Sequence, residues 1–209
     1  MWRNKAIGAY GRLSAESYDN ALSVYACLSA WGWTLEAVCG LLGNIESESG
    51  YNPWRWQSDI VLPEGDPRIG YQNAHAYGLC QWDPAGKYIN NAVSFQGYGP
   101  NYSDKSGSQY DGTAQMWYLD NYADYYPTSS YPLSYAQYKA ATIDNYTIDY
   151  LTRAWFNNFE RGTWDENRVR AAEYWYTTLG GILPPEPPEP EPERKIPIWL
   201  LFKIKEANS

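Results

Sequence analysis

The chain has 209 residues, of which 44% are apolar, and a formal charge of −8. That length suits one ordinary domain with an appendage and is too short for two full enzymatic domains. The acidic balance argues against a nucleic-acid partner, whose binding rests on Lys and Arg displacing counterions from phosphates, and against adhesion to an anionic surface by charge alone.

The N-terminus, MWRNKAIGAYGRL, lacks the apolar stretch of a signal peptide, so synthesis in the cytoplasm without a secretion signal is the expectation. From Tyr18 to Trp31, apolar residues at Ala21, Leu22, Tyr25 and Leu28 keep one face and predict a helix. Thr34 reads as the N-cap of a second helix carrying Leu35, Val38, Leu42 and Ile45 at spacings of three and four. Gly40 and Gly43 inside it lower helical propensity and point to a close neighbour. AYGLCQW (76–82) is the best strand signal, short and Gly-containing. Thr147 to Phe159 is helix-like. Thr163 and Glu166 form a capping-box pattern ahead of a last helix with Val169, Ala172, Tyr176 and Leu179 on one stripe, stopped by Gly180-Gly181. The expectation is a mainly α domain over residues 1–183 with at most a small β-hairpin.

Composition then changes sharply. PPEPPEPEPE (184–193) suits an extended polyproline spacer of ~3.1 Å per residue. Beyond it, residues 194–209 hold a compact apolar cluster from Ile196 to Ile204. That cluster is too short to span a bilayer, which needs ~20 apolar residues, and Pro197 interrupts it. An apolar peptide on a stiff spacer suits insertion in a partner's groove or sheet.

Chemistry concentrates at the end of the second helix, GNIESESGYNP (43–53). A helix ending in Glu-Ser-Gly beside a Pro turn holds a carboxyl at the mouth of a pocket on a rigid element. Cleavage of a glycosidic bond needs such a carboxyl, kept protonated by an apolar setting, to donate to the leaving oxygen. Tyr51, Trp54 and Trp56 lie close enough in sequence to supply that setting. The aromatic content, 11 Trp and 21 Tyr, mainly fills a core poor in Phe and Met, with a minority expected to line a groove. Helical geometry does not select between the two carboxyls: at about 100° per residue Glu46 lies nearer the centre of the apolar stripe than Glu48.

Three ordered segments carry a resemblance: Gly43, Asn44, Glu48 and Ser49; then Gly78, Leu79, Gln81 and Trp82; then Glu160-Arg161 ahead of Glu173-Tyr174-Trp175. ESGYNP followed by YGLCQW resembles the signature of lytic transglycosylases and goose-type lysozymes, and the fuller layout is similar to the phage tail lysozyme family over about residues 18–180. The resemblance implies a lysozyme-like α-helical fold with a small β-hairpin, and a peptidoglycan substrate. It further implies Glu48 as general acid, Ser49 orienting it, and Tyr77, Gln81 and Trp82 lining the sugar groove. Glu46 stays the main alternative acid. For the second carboxylate that an inverting hydrolase uses, Glu46, Asp59, Asp66, Asp83 and Glu160 are all candidates. Otherwise the substrate's own N-acetyl group acts as nucleophile, with either a hydrolysed or an anhydro product. The same layout implies a virion location; the apolar peptide 194–209 on its stiff spacer is then the expected anchor to a phage tail protein, with a free endolysin as the alternative.

Rival chemistries are poorly supplied. His75 is the sole histidine, so neither the usual zinc set nor a well-provided Cys–His pair is available, and no metal or other cofactor is expected. Cys27, Cys39 and Cys80 read as small buried hydrophobes, with a Cys39–Cys80 bridge left open. The non-enzymatic rival is a lysozyme-like structural or glycan-binding tail module.

Overall fold

The computed structural model describes residues 2–3, 14–59, 75–89 and 112–180. Asp66, the spacer 184–193 and the peptide 194–209 lie outside the described residues. The described residues form seven α-helices: α1 (Ala15–Ala30), α2 (Leu35–Ser49), α3 (Gly86–Ile89), α4 (Gly112–Tyr122), α5 (Tyr135–Lys139), α6 (Ile148–Trp155) and α7 (Asn167–Leu179). The fold is mainly helical, as the sequence predicts. Among the described residues no helix is long and apolar enough to cross a membrane.

α2 is the central helix. Thr34 caps it, its hydroxyl accepting from the Ala37 N–H at 3.3 Å. Every residue from Ala37 to Ile45 is buried, so the helix is covered on all sides rather than along one stripe. Its broadest packing is against α7 and then α6, while α4 lies mainly against α1. The two glycines explain the tightness. A Cβ at Gly40 would sit 2.7 Å from the Tyr138 hydroxyl and 3.1 Å from the Leu151 backbone. At Gly43 it would collide with the Arg168 carbonyl oxygen and lie 2.9 Å from Ala172 Cβ. A full Cβ shell would therefore hold α6 and α7 away from α2.

Aromatic residues fill the space beside α2. Trp155 is fully buried, with Tyr138 at 5.3 Å, Tyr125 at 5.7 Å and Trp33 at 6.1 Å between ring centroids. Polar tips find partners: the Tyr138 hydroxyl donates to Ala37 O at 3.1 Å and Trp33 Nε1 to Asp120 at 2.8 Å. Burial holds the Tyr138 hydroxyl well above its ordinary titration range.

Three local expectations change. The hairpin at 76–82 is reduced to one rung: Tyr77 and Trp82 exchange N–H···O bonds of 3.2 and 3.0 Å, and Tyr77 also bridges to Trp56, but no strand forms among the described residues. Gly78 (φ 84°) and Gln81 (φ 44°) turn the chain too tightly for a ladder to extend. The Thr163–Glu166 capping box does not form, because Glu166 pairs with Arg153 at 2.8 Å and accepts from Trp164 at 2.8 Å. Asp165 serves the helix start instead, accepting from the Asn167 N–H at 3.0 Å. The helix predicted to run to Phe159 stops at Trp155 and continues as a π turn, Phe156–Glu160. The reading of Cys39 and Cys80 as small buried hydrophobes holds, since both are buried free thiols.

Candidate active site

Gly50 ends α2 in the left-handed region (φ 58°), returning its N–H to Glu46 O at 3.0 Å. Glu46 and Glu48 thus share the last turn but, being two residues apart, point to different faces. Glu46 Oε2 accepts from the Tyr51 hydroxyl at 2.9 Å, and that same hydroxyl accepts from Trp175 Nε1 of α7. Glu48 meets Arg168 instead, with Nη2 and Oε1 2.6 Å apart. The side chain of Arg168 is 7% exposed and that of Glu48 is 21% exposed, so the pair is shielded on one side and open on the other. The guanidinium also donates from Nη1 to Asn44 Oδ1 at 3.2 Å and lies 5.0 Å over the Phe156 ring. A short charge-assisted bond in this setting far outweighs a surface ion pair.

Glu160 reaches the same region from the π turn. The turn is closed by the Arg161 N–H, which donates to Phe156 O at 2.8 Å with Arg161 at φ 56°. Trp155 Nε1 donates to Glu160 Oε1 at 3.2 Å. Burial pushes the Glu160 carboxyl well above the ordinary 4.5, and the negative charge of Glu48 raises it further. The Trp155 bond and the Arg168 cation pull the other way without cancelling these effects. One carboxylate is ion-paired, while burial and that neighbour's charge favour the protonated form of the other. Such divergent settings are how a protein separates proton donor from charged partner in acid–base chemistry.

Glu160 opens into a pocket shared with Cys80, Gln81, Trp82, Asp83, Lys87, Tyr118, Tyr122, Asp124 and Phe159. The 78–81 turn is sewn in place from beneath. Gln115 of α4 accepts from the Leu79 N–H at 2.7 Å and donates to Pro53 O at 2.6 Å. Gln81 Nε2 donates to Arg55 O at 3.0 Å and Gly78 O at 2.9 Å, and Arg55 Nη1 donates to Glu48 O at 3.1 Å. The pocket wall and the end of α2 are therefore one hydrogen-bonded unit.

Of the residues singled out from sequence, Gln81, Trp82, Asp83 and Glu160 line this pocket. Tyr77 lies fully buried, its ring centroid 4.7 Å from that of Trp56. Ser49 is also fully buried, and its hydroxyl donates to Ile45 O at 3.3 Å within α2. Asp59 ends a short 3-10 turn, Gln57–Asp59. Among the described residues no cluster of three or more His, Cys, Asp or Glu could hold a metal ion.

Arg168 was missed by sequence reading. Its signal was a basic residue in line with Ala172, Trp175 and Leu179, at the spacing of the buried face of α7.

The raised carboxyl has a stability signature. Because Glu160 binds its proton more tightly folded than unfolded, its contribution is fully present below about pH 4.5 and is lost as pH rises through the folded value. Glu160→Gln removes the ionisation. Urea midpoints of the two proteins should agree near pH 4.5 and separate in the variant's favour as pH rises; parallel profiles would contradict a raised Glu160 carboxyl.

Residues 19–179 match the family model described as phage tail lysozyme. The chain is also 30% identical over 169 residues to morphogenesis protein 1 of Bacillus phage B103, an alignment covering 78% of this chain and 40% of that protein. The chain thus spans well under half the length of that relative. With the helical fold and three ordered motifs inside the matched span, the chain belongs to the phage tail lysozyme family.

Proposed function

We propose that the chain is a peptidoglycan-degrading glycosidase that cleaves the glycan strand by general acid catalysis from Glu48, acting at the phage tail to open the host wall during DNA delivery. The observation that carries this reading is the convergence of two carboxyls in different settings, Glu48 ion-paired to Arg168 and Glu160 at a polar and aromatic pocket. Breaking an acetal needs one carboxyl to protonate the leaving oxygen and a second to activate water or steady the developing cation. Family membership supports the substrate class.

In this reading Glu48 is the donor, as the motif resemblance implies, and Glu160 is the second carboxyl. A second reading exchanges them. It is favoured by Arg168, whose guanidinium sits 2.6 Å from Glu48, while burial leaves the proton on Glu160. Whether water or the substrate's N-acetyl group completes the reaction separates a lysozyme from a lytic transglycosylase.

An aryl glycoside of an N-acetylated chitooligosaccharide distinguishes the roles, because a phenolate leaves without being protonated. Replacing the donor by Gln should cut wall cleavage by ~10²-fold or more while largely sparing the aryl substrate. Replacing the other carboxyl should depress both. Sparing in Glu48→Gln supports the first assignment and sparing in Glu160→Gln the second. Full activity of both variants on walls would sink the carboxyl mechanism, whereas absence of wall cleavage by the wild type would favour a non-catalytic tail module.

The relative's printed role in morphogenesis supports placement on the particle. The apolar peptide 194–209, on its Pro/Glu spacer, is the proposed attachment to a tail component. A chain truncated after Leu183 should still digest purified walls but be missing from virions by mass spectrometry. Its normal incorporation contradicts the anchor; absence of the full chain from virions leaves the free-endolysin reading.

A further inference from the structure

Among the described rings Tyr122, like Trp31 and Tyr126, is exposed, but Tyr122 stands at the Glu160 pocket. It is the last residue of α4, lines the Glu160 pocket, and is 58% exposed. It is not loose. One turn earlier, Tyr118 is 8% exposed and stacks on it, with centroids 5.6 Å apart and planes at 29°. Trp117 meets it edge-on at 5.6 Å. Tyr118 is fixed in turn: its hydroxyl donates to Lys87 O at 2.8 Å and its ring packs on Tyr88 at 5.3 Å and Trp82 at 5.9 Å. The ring is thus held by two neighbours while keeping most of its surface exposed at the rim of the pocket.

A rigid aromatic face with carboxylates and an amide around it suits one ligand chemistry in particular. A pyranose ring has an apolar C–H face that packs on an aromatic plane, and hydroxyls around its edge that need polar partners. Asp83, Asp124 and Gln81 stand around the same pocket as Tyr122. A purely apolar ligand would leave those groups buried without partners, at a cost. A nucleic-acid base would meet carboxylates where it needs cations for its phosphates.

We propose that Tyr122, seated on Tyr118 at the end of α4, is a sugar-stacking wall that binds an N-acetylated pyranose of the glycan next to Glu160. It sets substrate affinity and the register of the strand against the carboxyls. This rests on the glycosidase reading and extends it to a residue that none of the three motifs contains.

The probe is N-acetylated chitotetraose, titrated into the full chain by calorimetry alongside Tyr122→Phe and Tyr122→Ala, with wall digestion on the same preparations. Tyr122→Phe keeps the ring and should bind within a few-fold of wild type, whereas Tyr122→Ala should bind about tenfold more weakly. KM on walls should rise with little change in kcat, and melting temperature should hold because the ring is largely exposed. Equal affinity of Tyr122→Ala and wild type overturns the wall while leaving the glycosidase reading intact. Wild type that digests walls but does not bind chitotetraose also overturns it. Wild type that neither binds nor digests overturns the glycosidase reading as well.

Discussion

A guanidinium enclosed between two helices governs the arrangement of the site. Arg168 comes from α7 and is buried against α2, where Glu48 supplies the opposite charge, Asn44 the acceptors and Phe156 a ring face. A cation cannot be buried without such partners, since stripping its water costs several kcal/mol. The short reach depends on Gly43, which lets the Arg168 carbonyl lie where any side chain would collide. Asn44 extends the tie to α6, donating to Thr152 O at 3.1 Å. Three helices are thus fastened around one carboxylate, and the glycine that permits it is itself buried.

The second constraint is the π turn after α6. An α-helix continued through this stretch would present its residues about 100° apart; the wider turn inserts a residue and re-aims those that follow. Here it brings Glu160 under the Trp155 indole and into the range of both Glu48 and Arg168. Burial then separates the two carboxyls electrostatically. Trp155 also belongs to the aromatic core with Tyr125 and Tyr138, so the group that steadies Glu160 is anchored by the packing itself. Core and chemistry are built from the same residues.

Much of this was legible in the sequence because it depends on local signals. The Thr34 cap, the close approach at Gly40 and Gly43, the end of α2 at Gly50 and the helical class follow from propensity, periodicity and turn chemistry. The proximity of Glu48, Gln81 and Glu160 needed the ordered motifs, since nothing local brings residues so far apart in sequence together. Arg168 was hidden because a single basic residue next to Val169 reads as the edge of an amphipathic helix. Its register with Ala172, Trp175 and Leu179 was the one hint, and packing shows that it lies in the buried stripe. Ser49 and Tyr77 illustrate the opposite case: motif position suggested contact with substrate or acid, whereas steric access places Ser49 inside α2 and Tyr77 under Trp56. The capping box failed because Arg153 offered Glu166 a stronger partner than a backbone N–H.

The central claim is that these carboxyls cut glycan rather than peptide, and it is tested most directly by mass spectrometry of muropeptides released from purified walls. Digestion should create new glycan ends, reducing or anhydro, with peptide stems and cross-links intact, and Glu48→Gln should abolish them. New amino termini or free stem peptides with the glycan strands unbroken would contradict the account.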